Sequence, residues 1–468
     1  MNEAAPDLEI RRAWLVDPAI RREGPGEIVV RGGVLEAVTW LEGADADRVE
    51  PDGVVIAPGF VDLHAHLREP GNEDAETVAT GLAAAAHGGF TTVCAMPNTD
   101  PTLDEPGVLA RVRAAVLASG SPVELLAHGA ITAGRGGEQL AALGELADAG
   151  VVGFSDDGSP TASAAVFRSA LAYAGSLGLP IVEHAEDPTL TAGAEANEGF
   201  VATVLGLRGW PVAAEFSAVA RALALLADVR VDVPTVRLHL THLSTGASLD
   251  LVRIAKKRGL PVTCDVTPHH IALSDEWVAG ARRWAWDAVD RHGLARDPWA
   301  DEALIAAPFS TATRVNPPLR CAEDAIACLT ALADGTADAV ATDHAPHREV
   351  DKAVEFGTAA NGISGLETAL GVLLAAVDAR RIPLLRTIES LTTGPAAILG
   401  RRMRRETVGL VEGAPADLVV FDRSDPWTVS ADTLASRGKN SPLLGMTVPA
   451  RVLLTMANGR VAYEAPDA

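Results

Sequence analysis

A near-continuous apolar run that stops abruptly at polar residues, followed by a helical stretch, recurs about eight times between residues 55 and 347. The runs are "VIAPGFVDLHAH", "FTTVCAMPN", "VELLAHGAIT", "VVGFSDDG", "PIVEHAED", "RLHLTHLST", "PVTCDVTPHH" and "ADAVATDHAPH". Strands without polar alternation are covered on both faces, the condition of a parallel sheet wrapped in helices. The Ala-rich stretch 76–87 and the spacers 163–178, 213–228 and 247–258 suit crossover helices. An open parallel sheet uses the same units, but about eight of them point to an α/β fold of the (β/α)8 TIM-like barrel type. Chemistry is then expected where the strands end, at the C-terminal face.

Both chain ends have a different texture. "AWLVDPAI", "GEIVVRGGVLEAVTWLEG" and "GVVIAPG" are short β-rich pieces broken by Gly, Pro and Asp, and "GLVEGAPADLVVFD" and "TVPARVLLTMANGRVAYE" repeat that pattern near the other end. The expected organisation is a small β-sandwich domain formed by residues 1–57 and 396–468, enclosing a barrel over 58–395. The formal net charge of −23 makes a nucleic-acid partner a poor fit. Four scattered cysteines (Cys94, Cys264, Cys321, Cys328) with no C-x-x-C fit a reducing compartment. No signal peptide or membrane-spanning run is read, so a cytoplasmic protein is expected.

Eight of the twelve histidines fall at the polar strand ends: His64, His66, His184, His242, His269, His270, His344 and His347. In "GFVDLHAHLREPG", His64 and His66 are two apart and project to one face of a strand, where two imidazoles converge on one cation. Two further histidines from other strands would hold a second cation, with a carboxylate shared between them. Asp343 would complete the first ion and move a proton between a cation-activated hydroxide and a leaving nitrogen. Arg68, two residues after His66, has the fork geometry for a carboxylate. Asn98, Asn316 and His347 add polar contacts, with Asn316 in the stiff "VNPPLR". Glu73 and Glu76 read as capping or solvating the next helix. The chain has no G-x-G-x-x-G, no Walker-type phosphate loop and no G-x-S-x-G, which excludes their chemistries.

These residues resemble the amidohydrolase superfamily, and closely the class I bacterial dihydroorotases. The stretches that carry the resemblance are "GFVDLHAHLREPG", "MPNT", "FSDDG", "HAED", "HLSTG", "VTPHH", "VNPPLR", "ATDHAPH", "GISGLETAL" and "GLVEGAPADLVVFD", in order along the chain. The resemblance implies one or two zinc ions per subunit, with His64, His66 and Asp343 at the first and His184 and His242 at the second. An aspartate of "DDG" would bridge them; segment length favours Asp157 over Asp156. It also implies that Arg68, Asn98 and Asn316 hold a substrate carboxylate, with His66 and His347 also touching substrate and Asn361 and Gly362 near a pyrimidine ring. The implied reaction is the reversible cyclisation of N-carbamoyl-L-aspartate to (S)-dihydroorotate, in a homodimer that associates in some cases with aspartate carbamoyltransferase.

Three departures stand out. A long segment, 278–314, rich in tryptophan around Trp277, Trp284, Trp286 and Trp299, separates "PHH" from "VNPPLR" and reads as surface structure or an interface. "AANGISG" replaces a Pro-Phe-Gly loop, and Ala185 stands where Cys is frequent. Hydantoinases, dihydropyrimidinases and allantoinases share barrel and chemistry but usually bridge their metals with a carboxylated lysine. This chain's four lysines, Lys256, Lys257, Lys352 and Lys439, all lie away from "FSDDG". A non-catalytic partner of aspartate carbamoyltransferase would lack metal ligands, and every expected ligand is present.

Overall fold

The computed structural model describes residues 7–289, 306–405 and 408–466. The predicted barrel forms. Its strands Phe60–Ala65, Phe90–Ala95 and Glu124–Ala127 pair in parallel. Ile181–Glu183, Leu238–Leu240, Val262–Val266 and Ala339–Val340 form a second parallel set. Phe154 bridges both Gly129 and Ile181 and so supplies the eighth stave between the sets, while a bridge from Ala65 to His344 closes the ring. Every residue of Phe60–Ala65 and Phe90–Ala95 is buried, including the polar Asp62, His64, Thr91 and Thr92, as a strand covered on both faces requires.

The helices begin where side chains satisfy their free amides. Thr77 caps Val78–His87 through the Thr80 amide, Ser163 caps Ala164–Ser176, and Thr245 caps Gly246–Lys257. Among the described residues no helix is long and apolar enough to cross a membrane.

A mixed seven-stranded sheet is built from both chain ends. Val54–Pro58 lies between Leu8–Asp17 and Leu418–Asp422, with Ile56 opposite Val420. Leu15, Ile28, Ile56, Leu418 and Met456 form its own apolar core. From Leu418–Asp422 the chain passes through residues 429–445 before returning in Arg451–Ala457. That excursion reaches the barrel: Glu367 accepts from the Ala435 and Ser436 amides at 2.6 and 3.1 Å.

Glu367 gives the fold a pH signature. Burial raises its carboxyl from 4.5 to about 7, with the two amide bonds offsetting only part of the shift. The folded chain therefore binds the extra proton between these values. This group's stabilisation is complete below about 4.5 and is lost as pH rises through about 7. At most, about 3 kcal/mol is involved. Glu367→Gln is expected to flatten the fall in melting temperature across that window; parallel slopes for variant and wild type would assign the effect elsewhere.

Two sequence readings need correction. The first part of the 278–314 segment, with its flank at Trp277, is core rather than surface, whereas residues 306–314 are largely part-exposed, with Phe309 41% exposed. Trp277 and Trp286 are only 1% and 3% exposed, and Trp284 stacks on Trp286 at 5.4 Å. Residues 290–305, including Trp299, lie outside the described residues. Glu76 does not solvate a helix: it is fully buried, and its carboxylate accepts from Ser436 Oγ at 2.6 Å and faces His344 Nε2 at 3.3 Å. A partner that arrives from 360 residues downstream leaves no local trace in the sequence.

Candidate active site

Four imidazoles and two carboxylates from separate strand ends meet inside the C-terminal mouth of the barrel. His64 and His66 leave the first strand with their Nε2 atoms 3.3 Å apart. Asp343 Oδ1 lies 3.1 Å from His66 Nε2 and 3.5 Å from His64 Nε2. Across the barrel, His184 Nδ1 and His242 Nε2 are 3.0 Å apart. Asp157 stands between the two groups. Its Oδ1 is 3.2 Å from both His184 Nδ1 and His242 Nε2, while its Oδ2 is 3.4 and 3.5 Å from the Nε2 atoms of His64 and His66. One carboxylate thus presents an oxygen to each of two potential cation sites.

Asp156 is occupied elsewhere. Its Oδ1 accepts from the Ile131 and Thr132 amides at 2.9 and 3.1 Å, and its Oδ2 from the Thr132 and Thr161 hydroxyls at 2.5 and 3.0 Å. It fixes the loop from which Asp157 projects.

Partners on the far ring nitrogens set the tautomers. His64 Nδ1 donates to Thr241 Oγ1 at 2.8 Å, and that hydroxyl donates to Asp265 Oδ2 at 3.2 Å. His66 Nδ1 donates to Asn98 Oδ1 at 2.8 Å, and His184 Nε2 donates to Glu186 Oε2 at 3.0 Å. With their outer protons held, these imidazoles turn lone pairs toward one another and toward Asp157, an arrangement that suits cation ligands. Charge agrees. Burial lowers the His64 pKa, but Asp157 and Asp343 outweigh it and bring it to about 9, so the two carboxylates draw a proton onto this ring wherever no cation takes its place. Burial works to raise the Asp343 carboxyl, yet its His66 bond and the nearby imidazoles hold it below the usual carboxylate range. The two buried carboxylates call for positive charge between them, and one or two zinc ions fit the donor set.

The backbone is strained at three of these places. Arg68, His242 and Asp343 have φ of 60°, 42° and 46°, left-handed values that side-chain-bearing residues rarely adopt.

Beside the first cluster, Arg68 Nε donates to the Pro346 carbonyl at 3.1 Å. Its Nη2 lies 3.2 Å from His347 Nε2, which donates to the Asn361 carbonyl at 2.7 Å. Burial and the Arg68 charge lower His347 to about 3, so its ring stays neutral. Burial lowers Arg68 to about 10, leaving it cationic at neutral pH. Arg68, His347 and Asn361 are therefore brought together, with Asn98 tied to the first cluster through His66. Asn316 lies with the other half of the centre, its Nδ2 donating to Glu186 at 2.9 Å. Asn361 reaches His347 with its carbonyl only; its side-chain oxygen accepts from Arg314 Nε at 2.9 Å. Gly362 sits at φ 151°, where a Cβ would lie 2.5 Å from the Ala345 oxygen and 2.9 Å from His347 Nε2.

Sequence relatives decide the family. The dihydro-orotase-like family model matches residues 53–248. A dihydroorotase of Anaeromyxobacter dehalogenans is 45% identical over 463 residues, covering 98% of each chain. This chain belongs to the dihydroorotase family. A further dihydroorotase, from Geotalea daltonii, is 40% identical over 464 residues, 98% of this chain and 99% of that one. Among solved structures, the L-hydantoinase (dihydropyrimidinase) of Arthrobacter aurescens superposes with a TM-score of 0.76 at 25% identity, covering 98% of this chain and 96% of that one. A D-hydantoinase superposes at 0.75 with 21% identity, which speaks to the fold alone.

Within this dihydroorotase-family site, sequence reasoning passed over Glu186, Thr241 and Asp265. Glu186, two residues after His184 in "HAED", carried the only local hint, since a carboxylate near a ligating histidine is a common orienting partner. Asp265 precedes "VTPHH" and also accepts from the His242 amide at 2.6 Å, a role that depends on strand neighbours.

Proposed function

We propose that this chain catalyses the dihydroorotase reaction, the reversible cyclisation of N-carbamoyl-L-aspartate to (S)-dihydroorotate and water, the third step of de novo pyrimidine synthesis. The observation that carries this reading is the carboxylate of Asp157 shared between two imidazole pairs, with the Arg68 cation close enough to interact with the charges of Asp343 and Asp157. It is supported by 45% identity along the full length of a dihydroorotase. In this reading His64, His66, Asp157, His184, His242 and Asp343 hold one or two zinc ions. Bound there, zinc lowers the pKa of a water so that hydroxide is available at neutral pH, and polarises the amide carbonyl of the ring.

The chain's own residues do the rest. In hydrolysis Asp343 takes the proton of the attacking water and delivers it to the ring nitrogen as the carbon–nitrogen bond breaks. In cyclisation it takes a proton from the ureido nitrogen and passes it to the departing oxygen. Arg68 holds the substrate carboxylate with Asn98, whose oxygen is committed to His66 and whose amino group is thereby turned outward. His347 adds a neutral contact. Gly362 and the Asn361 main chain form the wall beside the ring. Asn316 acts on the His184 side.

Hydantoin and dihydropyrimidine hydrolysis is the competing reading, favoured by the fold likeness to hydantoinases. The Arg68–Asn98 pair weighs against it, because those rings lack the carboxylate it fits. Turnover of dihydroorotate, dihydrouracil, hydantoin and allantoin by zinc-loaded protein tests the choice: preference for dihydroorotate is expected, and preference for a ring without a carboxylate overturns it. Arg68→Met is expected to lower kcat/KM for dihydroorotate by on the order of 10²-fold at unchanged metal content. Equal turnover at low substrate would remove Arg68 from the site.

Free cysteines and the lack of disulfides among the described residues support a cytoplasmic setting. A homodimer and association with aspartate carbamoyltransferase are part of the family reading; sedimentation with and without that enzyme tests both.

A further inference from the structure

We infer that Asn440, on the excursion from the chain-end sheet, is a positioning residue that sets the substrate-carboxylate pocket from outside the barrel. The inference rests on the dihydroorotase reading above. Asn440 is 8% exposed and uses all of its side-chain hydrogen-bonding capacity. Its Nδ2 donates to the carbonyls of Ala345 and Gly362 at 3.0 and 2.9 Å. Its Oδ1 accepts from the His347 amide at 2.8 Å and the Ser364 hydroxyl at 3.1 Å. Its own carbonyl accepts from the Ser364 amide at 3.1 Å. One side chain therefore stitches the loop bearing His347 to the loop bearing Asn361 and Gly362.

The approach of this excursion is close. At Gly438 a Cβ would lie 2.5 Å from Pro346 Cβ and 2.8 Å from the His347 nitrogen, so only glycine lets the chain pass. Pro346 in turn presents the carbonyl that fixes Arg68 Nε. Asn440 and Gly438 thus set the spacing of Arg68, His347 and Gly362, while making no hydrogen bond to the cluster around Asp157 among the described residues. The carboxylate it serves is remote from the amide that breaks. Loss of this positioning weakens ground state and transition state alike, and appears in KM rather than kcat.

The test is Asn440→Asp, which keeps shape and both acceptor bonds but turns an oxygen toward the Ala345 and Gly362 carbonyls. In zinc-loaded enzyme, KM for dihydroorotate is expected to rise at least ~10-fold, with kcat within ~3-fold and zinc content unchanged. Asn440→Ser, too short to span the two carbonyls, is expected to act in the same direction. A folded variant with wild-type KM overturns the inference, as does a fall in kcat or zinc content without a change in KM. If neither variant folds, Asn440 is a folding determinant and the inference also fails. Failure of wild-type protein to turn over dihydroorotate would instead strike at the proposed reaction, independently of Asn440.

Discussion

Asp343→Asn is expected to lower dihydroorotate turnover by on the order of 10⁴-fold while leaving the fold intact. The substitution keeps the side chain's shape and one oxygen toward His66, but removes the group that accepts and returns the proton. Asp343 is suited to that task by position. Its oxygen lies 3.1 Å from His66 Nε2 in the first cluster, and its left-handed backbone lifts it off the end of the strand. The fold does not depend on it, because barrel closure runs through the Ala65–His344 bridge and the Thr342 contacts to Asp62. Turnover, melting temperature and bound zinc measured on one preparation separate these effects. Wild-type turnover in the variant would defeat the assigned proton transfer.

Asp157→Ala is expected to do more. It removes the one carboxylate that faces both imidazole pairs, leaving Asp343 beside His64 and His66 and Glu186 on the outer nitrogen of His184. Loss of at least one zinc ion per chain and at least ~10³-fold of activity is expected. Asp156→Asn provides the contrast. Asp156 is bound to Ile131, Thr132 and Thr161 rather than to any imidazole, so its substitution is expected to lower stability more than zinc content. Should Asp156→Asn lose zinc while Asp157→Ala retains it, the two aspartates would exchange roles.

The barrel was legible because its strands are buried on both faces, so apolar runs and polar ends alternate plainly along the chain. The imidazole cluster was legible for a related reason: histidines that serve a common centre must stand at the same end of parallel strands, and their spacing records it. The choice between Asp156 and Asp157 rested on family spacing, since neighbouring aspartates look alike until Thr132 and Thr161 engage one of them. Tertiary partners also hid Glu76 and the buried tryptophans. Glu76 meets Ser436 across most of the chain's length, and the charges interleaved among Trp277, Trp284 and Trp286 disguised a core segment as surface. Asn440 left no signal, because its function consists of four contacts with two distant loops.

The most direct test of the shared metal centre is a zinc titration of chelator-stripped protein, following bound zinc and dihydroorotate hydrolysis together. Stripped protein is expected to be folded and inactive, and activity is expected to return as one to two zinc ions bind per chain. Full hydrolysis with no metal bound, or stoichiometric zinc without any action on dihydroorotate, would contradict the account.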